Sequence, residues 1–211
     1  DWSSDVCSSD LQFIGPQACA AAAPGVDSDV AFPETRGLPA SVVGDALDMS
    51  AEKRAAVLGV TGFIGGALPV MLRAAGFETT GVSRGSSPET AGVSAWQKPD
   101  SLDFSGHHAV INLAGETVAQ RWTGASLRRM RTSRIETTRA VLDALRRLPD
   151  GERPAVLVNA SAVGFYGDRG NEVLDESSSA GSGFLAELCA DWEREAMAAR
   201  DLGVRVVCLR I

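Results

Sequence analysis

The sequence predicts an α/β protein whose core is a doubly wound parallel sheet. Two patterns support this prediction: short apolar segments alternate with helical ones, and a glycine-rich turn separates the first such apolar segment from the first helix. Alternating strands and helices favour parallel pairing with right-handed crossovers. The chain has 211 residues, 45% of them hydrophobic, which is enough for one sizeable core and excludes a disordered or fibrous protein.

The first 52 residues are expected to lie outside this sheet. Residues 1–11, DWSSDVCSSDL, have neither helical nor strand periodicity and look like the translation of a sequencing adapter, so we expect a cloning or assembly artefact. Residues 12–52 are rich in Ala, Gly, Pro, Ser and Asp, which is typical of a linker or of the tail of an upstream domain. The α/β domain is therefore expected to cover residues 53–211.

The first strand of this domain is predicted at Ala55–Leu58 and leads into the turn GVTGFIGG. Gly59 would allow a tight turn, Gly62 would let backbone amides approach a pyrophosphate, and Gly65 would let the next helix pack close to the strand. The strand, glycine turn and helix in this order predict a dinucleotide-binding site. The remaining residues of the binding loop are then Thr61, Phe63 and Ile64.

The second strand, predicted at Phe77–Val82, ends in Ser83 and Arg84. A site that prefers NAD places Asp or Glu near this point to bind the ribose 2′-hydroxyl, and neither is present. A guanidinium instead forms charge-assisted paired hydrogen bonds with phosphate oxygens. We therefore predict NADP over NAD, the alternative being that Arg84 is an ordinary surface residue after a strand.

The later elements continue the alternation. In order, we predict strands at Val93–Gln97 and Ala109–Leu113, a helix at Ser126–Leu148, a strand at Ala155–Ala160, a helix at Phe184–Leu202 and a strand at Val204–Ile211. The long helix has an apolar face formed by Leu127, Met130, Ile135, Leu142 and Leu145. Its arginines are expected to form a solvated face; they are Arg128, Arg129, Arg131, Arg134 and Arg139.

Composition argues against several kinds of partner. A net charge of −7 disfavours nucleic acid, because affinity for a phosphate backbone depends on Lys and Arg. We predict no metal site, since there is no CxxC pair and the histidines are the adjacent His107 and His108. We expect no membrane span or signal peptide. Free thiols, typical of a cytoplasmic protein, are predicted for Cys7, Cys19, Cys189 and Cys208.

Three motifs together resemble the extended short-chain dehydrogenase/reductase superfamily. They are the glycine turn, the run Asn112–Gly115 (NLAG) and the run Ser161–Gly167 (SAVGFYG). The further runs INLAGE, RWT, SRI and WE are similar to the atypical group of epimerase-family, sugar-nucleotide-epimerase-like oxidoreductases. The resemblance covers residues 54–211.

This resemblance implies a Rossmann fold that binds NADP(H) and acts on a small molecule, either sugar-nucleotide-like or a carbonyl compound. It places Asn112, Ala114 and Gly115 beside the ribose of the cofactor and Ser161 near the nicotinamide. Such proteins carry substrate-binding segments after the sixth strand, so we expect the substrate region to be missing from this chain.

In the superfamily, a Tyr and a Lys four residues later perform the acid–base chemistry, the lysine charge lowering the pKa of the phenol. Here Tyr166 is the single tyrosine, and Gly170 follows it at that spacing. Counting back from Glu193 puts Leu185 and Cys189 at the usual positions of the pair. The usual pair is therefore absent, as it is in the atypical group.

Three interpretations of the chemistry stay open. In the first, Tyr166 or a residue outside this chain supplies the proton with help from Ser161, and the protein is a reductase or epimerase that uses hydride transfer. In the second, it binds NADP(H) without turnover, as a redox sensor or scaffold. In the third, this chain is a truncated product without activity.

Overall fold

Six parallel strands form one sheet in a computed structural model, which describes residues 53–85 and 90–211. The strands are β1 (Lys53–Leu58), β2 (Phe77–Val82), β3 (Val93–Gln97), β4 (Ala109–Asn112), β5 (Val156–Ser161) and β6 (Arg205–Arg210). The helices are α1 (Leu68–Ala74), α2 (Gly124–Arg147) and α3 (Phe184–Met197). Short 3₁₀ segments are Gly65–Ala67, Val163–Tyr166 and Ala198–Leu202.

The strand order is β3-β2-β1-β4-β5-β6, and every neighbouring pair is parallel. Chain order therefore runs outward from β1 in one direction to β3, then returns to the other side of β1 and runs outward to β6. This reversal beside β1 is the switch point of a doubly wound sheet, where ligands bind outside the carboxyl ends of the strands. The predicted α/β class and Rossmann-like architecture are confirmed.

Element boundaries differ from the prediction by a few residues, for local reasons. Helix α2 begins at Gly124, two residues before the expected start, because Thr123 and Ser126 form a reciprocal capping box. In it, the Ser126 N–H donates to Thr123 Oγ1 over 3.2 Å and the Thr123 N–H donates to Ser126 Oγ over 2.7 Å. The last predicted helix is α-helical only to Met197, and its final turn, Ala198–Leu202, is 3₁₀.

The core is formed by the sheet together with α2 and the residues around α3. On α2, Met130, Ile135, Leu142 and Leu145 are buried as expected, whereas Leu127 is only half-buried. Leu142 and Leu145 join a cluster of buried residues from other elements, and Ile135 packs in a second cluster with Ala160 and Trp192. The first cluster includes Leu58, Phe104, Val110, Leu157, Ala196 and Val206. This packing fixes the strand ends that carry the candidate site.

The proposed artefact at residues 1–11 and the proposed linker at residues 12–52, with Cys7 and Cys19, lie outside the described residues. Among the helices of the described residues, none is both long and apolar enough to cross a membrane.

Candidate cofactor-binding site

A cavity of about 470 Å³ opens where β1, β2 and β4 end. Leu58, Val82 and Leu113, at or just after the ends of these strands, form part of its wall. Its volume is in the range of small-molecule sites. Seven of the predicted cofactor residues line it: Gly59, Thr61, Gly62, Ser83, Arg84, Ala114 and Gly115.

The glycine turn leaves no room for side chains at two of its positions. Gly59 has φ of +80°, and a Cβ there would lie 2.8 Å from the carbonyl of Leu113. A Cβ at Gly65 would lie 2.9 Å from the Cα of Val60. The turn thus brings the first 3₁₀ segment close to the end of β1, as expected for a turn that receives a dinucleotide.

Between these glycines, main-chain donors remain available. The Gly62 N–H donates to Gly59 O over 2.9 Å, whereas the N–H groups of Phe63 and Ile64 donate to no acceptor in the described part of the chain. The Phe63 side chain is fully exposed and that of Ile64 is 44% exposed, and neither lines the cavity. Phe63 and Ile64 can therefore contribute to an anion site through their backbone.

The end of β2 presents Ser83 and Arg84 to the same cavity. The Ser83 N–H donates to Gln97 O over 3.1 Å, and Ser83 Oγ accepts from the Gly85 N–H over 3.3 Å. The Arg84 side chain is exposed and has no ion pair or hydrogen bond with any residue that the structure describes. In the described part of the chain, no group therefore competes with an incoming anion for this guanidinium.

Asn112 lies beneath the cavity rather than in its wall. It is fully buried, and its Nδ2 donates to Asn159 Oδ1 over 2.7 Å and to Thr138 Oγ1 over 3.2 Å. Its Oδ1 accepts from the Ala114 N–H over 3.3 Å. Asn112 thus fixes the loop whose residues Ala114 and Gly115 line the cavity.

Arg134 does not belong to the solvated face predicted for the arginines of α2. Its guanidinium lies 5.1 Å from the centre of the Trp192 ring, and its Nη1 donates to Glu116 O over 3.0 Å. A Cβ on Gly115 would come within 3.0 Å of this guanidinium. Burial lowers the pKa of Arg134. The expectation failed here because α3 and the loop after β4 cover this side of the helix.

Three polar side chains of the cavity wall were not predicted as cofactor-binding residues: Glu116, Ser133 and Thr137. The Glu116 N–H donates to Ser133 Oγ over 2.9 Å, which ties the loop to α2. Ser133 and Thr137 are one helical turn apart and so share a face of α2. That spacing was visible in the sequence, but nothing in it shows which face of α2 meets the loop.

The two predicted catalytic residues share a partly buried polar network. Ser161 Oγ donates to Glu193 Oε1 over 2.6 Å, and Arg210 forms two hydrogen bonds with the Glu193 carboxylate, at 2.8 and 2.9 Å. Arg210 Nη1 also donates to the hydroxyl of Tyr166 over 2.9 Å. Ser161 is 5% exposed and Tyr166 is 9% exposed, and neither lines the cavity.

Burial and charge act in opposite directions on Glu193. Burial alone would raise its pKa, but the hydrogen bonds from Arg210 and Ser161 and the charge of Arg210 outweigh it, so the pKa lies below its usual value. Glu193 is therefore ionised at neutral pH and is the counter-ion of Arg210.

Leu185 and Cys189, at the positions where the resemblance places the catalytic pair, carry an apolar side chain and a neutral thiol. A Cβ on Gly164 would lie 3.3 Å from the Cβ of Leu185. Burial raises the pKa of the Cys189 thiol, and burial also raises the pKa of Cys208 to about 11. Both thiols are therefore protonated at neutral pH, and both are free. Among the described residues, no group of three His, Cys, Asp or Glu side chains is placed to hold a metal ion.

Two solved structures are similar to this chain in sequence and in fold. The chain is 32% identical to the human epimerase family protein SDR39U1 (isoform 2), whose crystal structure contains NADPH; the TM-score is 0.65, and the match covers 74% of this chain and 52% of the human one. A nucleoside-diphosphate sugar epimerase from Corynebacterium glutamicum is also 32% identical, with a TM-score of 0.61 over 75% of this chain and 33% of that one.

Curated proteins with similar sequences also belong to the epimerase family. Epimerase family protein Mb2239 of Mycobacterium bovis is 42% identical over 165 residues, which are 74% of this chain and 52% of that protein. The chain thus spans about half the length of the curated relatives it matches. Residues 55–211 match the model of the NAD dependent epimerase/dehydratase family. The chain therefore belongs to this family.

Proposed function

We propose that this protein binds NADP(H) and serves an oxidoreductase or epimerase reaction on a small molecule with a hydroxyl or carbonyl group. The observation that carries the proposal is the composition of the cavity wall. In it a glycine turn faces Arg84, which has no partner among the described residues, and the described residues directly after β2, residues 83–85, include no carboxylate. A turn built from glycines lets its backbone approach a diphosphate closely, and a guanidinium can form charge-assisted hydrogen bonds with a 2′-phosphate.

Each part of the cofactor would have its own set of residues. The turn at Gly59 and Gly62, with the N–H groups of Phe63 and Ile64 that have no acceptor among the described residues, would hold the diphosphate. Arg84 would bind the 2′-phosphate together with Ser83, and Ala114 with Gly115 would lie beside a ribose. The NADPH in the related human structure supports this assignment.

When bound, the nicotinamide cofactor supplies hydride exchange. In the first candidate function, Tyr166 holds the proton to be exchanged at its hydroxyl, with Ser161 beside the reacting group. Arg210 donates to the Tyr166 oxygen, which leaves the phenol proton free to be donated elsewhere. Sugar nucleotides are the first substrates to test, since one related protein is a nucleoside-diphosphate sugar epimerase.

Measuring the dissociation constants of NADPH and NADH tests the cofactor assignment. The wild-type protein should prefer NADPH, and Arg84→Gln should weaken NADPH binding about tenfold while leaving NADH unchanged, because a hydrogen bond to a charged group contributes about 1.5–3 kcal/mol. Arg73→Gln, at an exposed arginine of α1, is the matched control and should bind like wild type. Equal affinity for the two cofactors in the wild type would overturn the assignment.

A second candidate function is NADP(H) binding without turnover, as a redox sensor or scaffold. It is favoured by the buried Tyr166 hydroxyl, which is held by Arg210, and by Leu185 and Cys189 at the positions of the usual pair. NADPH oxidation measured over a panel of sugar nucleotides and carbonyl compounds separates the two functions. Turnover that is lost in Tyr166→Phe supports the catalytic function, and cofactor binding without turnover supports the sensor.

We also propose that residues 53–211 form the cofactor domain and that the protein is cytoplasmic. The family match over residues 55–211 supports the first proposal, and the free thiols of Cys189 and Cys208 support the second. Deleting residues 1–52 should leave NADPH affinity unchanged. Cell fractionation tests the location, and enrichment in a membrane or secreted fraction would contradict it.

A further inference from the structure

Lys98 follows β3 and lies beside the loop that ends β2. Gln97 pairs with Val82 in the sheet, and Gln97 O accepts a hydrogen bond from the Ser83 N–H over 3.1 Å. One residue further on, Lys98 Nζ donates to Gly85 O over 2.5 Å. The lysine side chain therefore extends across to the loop that carries Arg84.

This loop belongs to the cavity wall. Ser83, Arg84 and Gly85 all line the cavity, and so does Pro99, which follows Lys98. The ammonium group of Lys98 is thus in contact with a residue of the wall and is flanked in sequence by another. Lys53, the other lysine of the chain, lies at the first residue of β1, at the opposite end of the strand from the cavity.

The Lys98 ammonium is not neutralised by a carboxylate in the described part of the chain, where it has no ion pair within 4.0 Å. Its described partner is a neutral carbonyl, which engages one of three N–H donors. Glu116 is the acidic residue in the cavity wall, and its carboxylate accepts from Gln120 and Arg129. Arg84, on the loop after β2, and Lys98, whose ammonium contacts that loop, are therefore two cations without a described counter-ion.

We propose that Lys98 is a second cation for the 2′-phosphate of NADP(H) and determines cofactor preference jointly with Arg84. This inference rests on the proposed function and names a further residue of that site. A phosphate oxygen is a stronger acceptor for the ammonium than the Gly85 carbonyl, because the hydrogen bond is then charge-assisted at both ends. Because the Lys98 side chain is exposed, it can exchange the Gly85 carbonyl for a phosphate oxygen by a change of rotamer.

Binding of two fragments to the full 211-residue chain tests Lys98. Adenosine 2′,5′-bisphosphate carries the phosphate in question, and adenosine 5′-monophosphate lacks it. In Lys98→Gln, we expect the bisphosphate to bind about fivefold more weakly and the monophosphate to bind as in wild type. Lys98→Arg should retain most of the preference, and Lys53→Gln, the matched control, should bind both fragments like wild type.

The outcomes separate this inference from the proposed function. In one outcome, wild type prefers the bisphosphate, Arg84→Gln loses that preference and Lys98→Gln keeps it. The cofactor assignment then stands, but the proposed role of Lys98 is overturned. If Lys98→Gln lost affinity equally for both fragments, the proposed role of Lys98 would also be overturned, since the effect would not involve the 2′-phosphate. If wild type shows no preference for the bisphosphate, the proposed function and this inference both fail.

Discussion

Glu193 and Arg210 show how much a single side-chain pair contributes when water has little access to it. Their side chains are 15% and 19% exposed, and the pair also holds Ser161 and Tyr166. Glu193 belongs to the WE motif, but no pattern in the sequence connects it with Arg210. The two residues are 17 positions apart, on α3 and β6, and only the packing of that helix on the sheet brings them together.

Replacing Glu193 by Gln should destabilise the fold strongly. The change keeps the size of the side chain but leaves the Arg210 charge without its carboxylate partner. Breaking a fully buried pair costs about 3–5 kcal/mol and breaking an exposed one less than about 1 kcal/mol, so the loss of this partly buried pair should cost about 2 kcal/mol. Urea unfolding measures this loss. Asp143→Asn breaks the exposed pair with Arg146 and should cost less than about 1 kcal/mol. Equal effects of the two variants would contradict a structural role for the partly buried pair of Glu193 and Arg210.

The lowered pKa of the Glu193 carboxyl makes the stability of the fold depend on pH. Because the pKa of Glu193 is lower in the folded chain than its ordinary value of 4.5, its contribution is complete above that value. The contribution is lost as the pH falls through the lower folded pKa. Unfolding free energies measured at descending acidic pH should therefore fall less steeply in Glu193→Gln than in wild type, and parallel curves would contradict the pKa shift.

At the scale of elements, a buried amide–hydroxyl network joins β4, β5, α2 and α3. Thr138 Oγ1 accepts from Asn112 Nδ2 and from Trp192 Nε1, the latter over 3.0 Å, and it donates to Arg134 O over 2.8 Å. The sequence predicted the strands and the apolar face of α2. It could not predict this network, because periodicity identifies buried positions but not which polar groups become partners across elements.

Asn112→Ala should therefore weaken the contact between these elements. The variant leaves the Asn159 Oδ1 without its described donor in the core, and a buried unsatisfied group costs about 1–3 kcal/mol. The free energy of unfolding should fall by about 2 kcal/mol. Asn171→Ala, at an exposed position, is the control and should change it little. If both variants unfold alike, the network does not hold these elements together.

At the scale of the molecule, the alternation of strands and helices was enough to predict the parallel sheet. The glycine turn also located the cavity, since that turn has to follow the strand at the switch point. The capping box at Thr123, the 3₁₀ end of the last helix and the inward turn of Arg134 were not predicted. Arg134 turns inward because Trp192 and Glu116, which are distant from it in sequence, lie against its side chain, and local patterns do not encode such contacts. Thr123 and Ser126 are only three residues apart, but Ser126 is not the Glu or Gln that signals a capping box at this position.

We propose that the glycine turn and the end of β2 form an NADP(H) site, and titration of the chain with NADPH is the decisive measurement. Wild type should bind NADPH saturably, and Gly62→Val should abolish binding, because even a Cβ at this position would lie 3.1 Å from Gly59 O and its methyl groups would occupy the diphosphate site. Gly66→Ala, whose Cβ would have an ordinary 3.8 Å contact, is the matched control and should bind like wild type. NADPH binding that survives in Gly62→Val, or is absent from the folded wild-type chain, would contradict the claim.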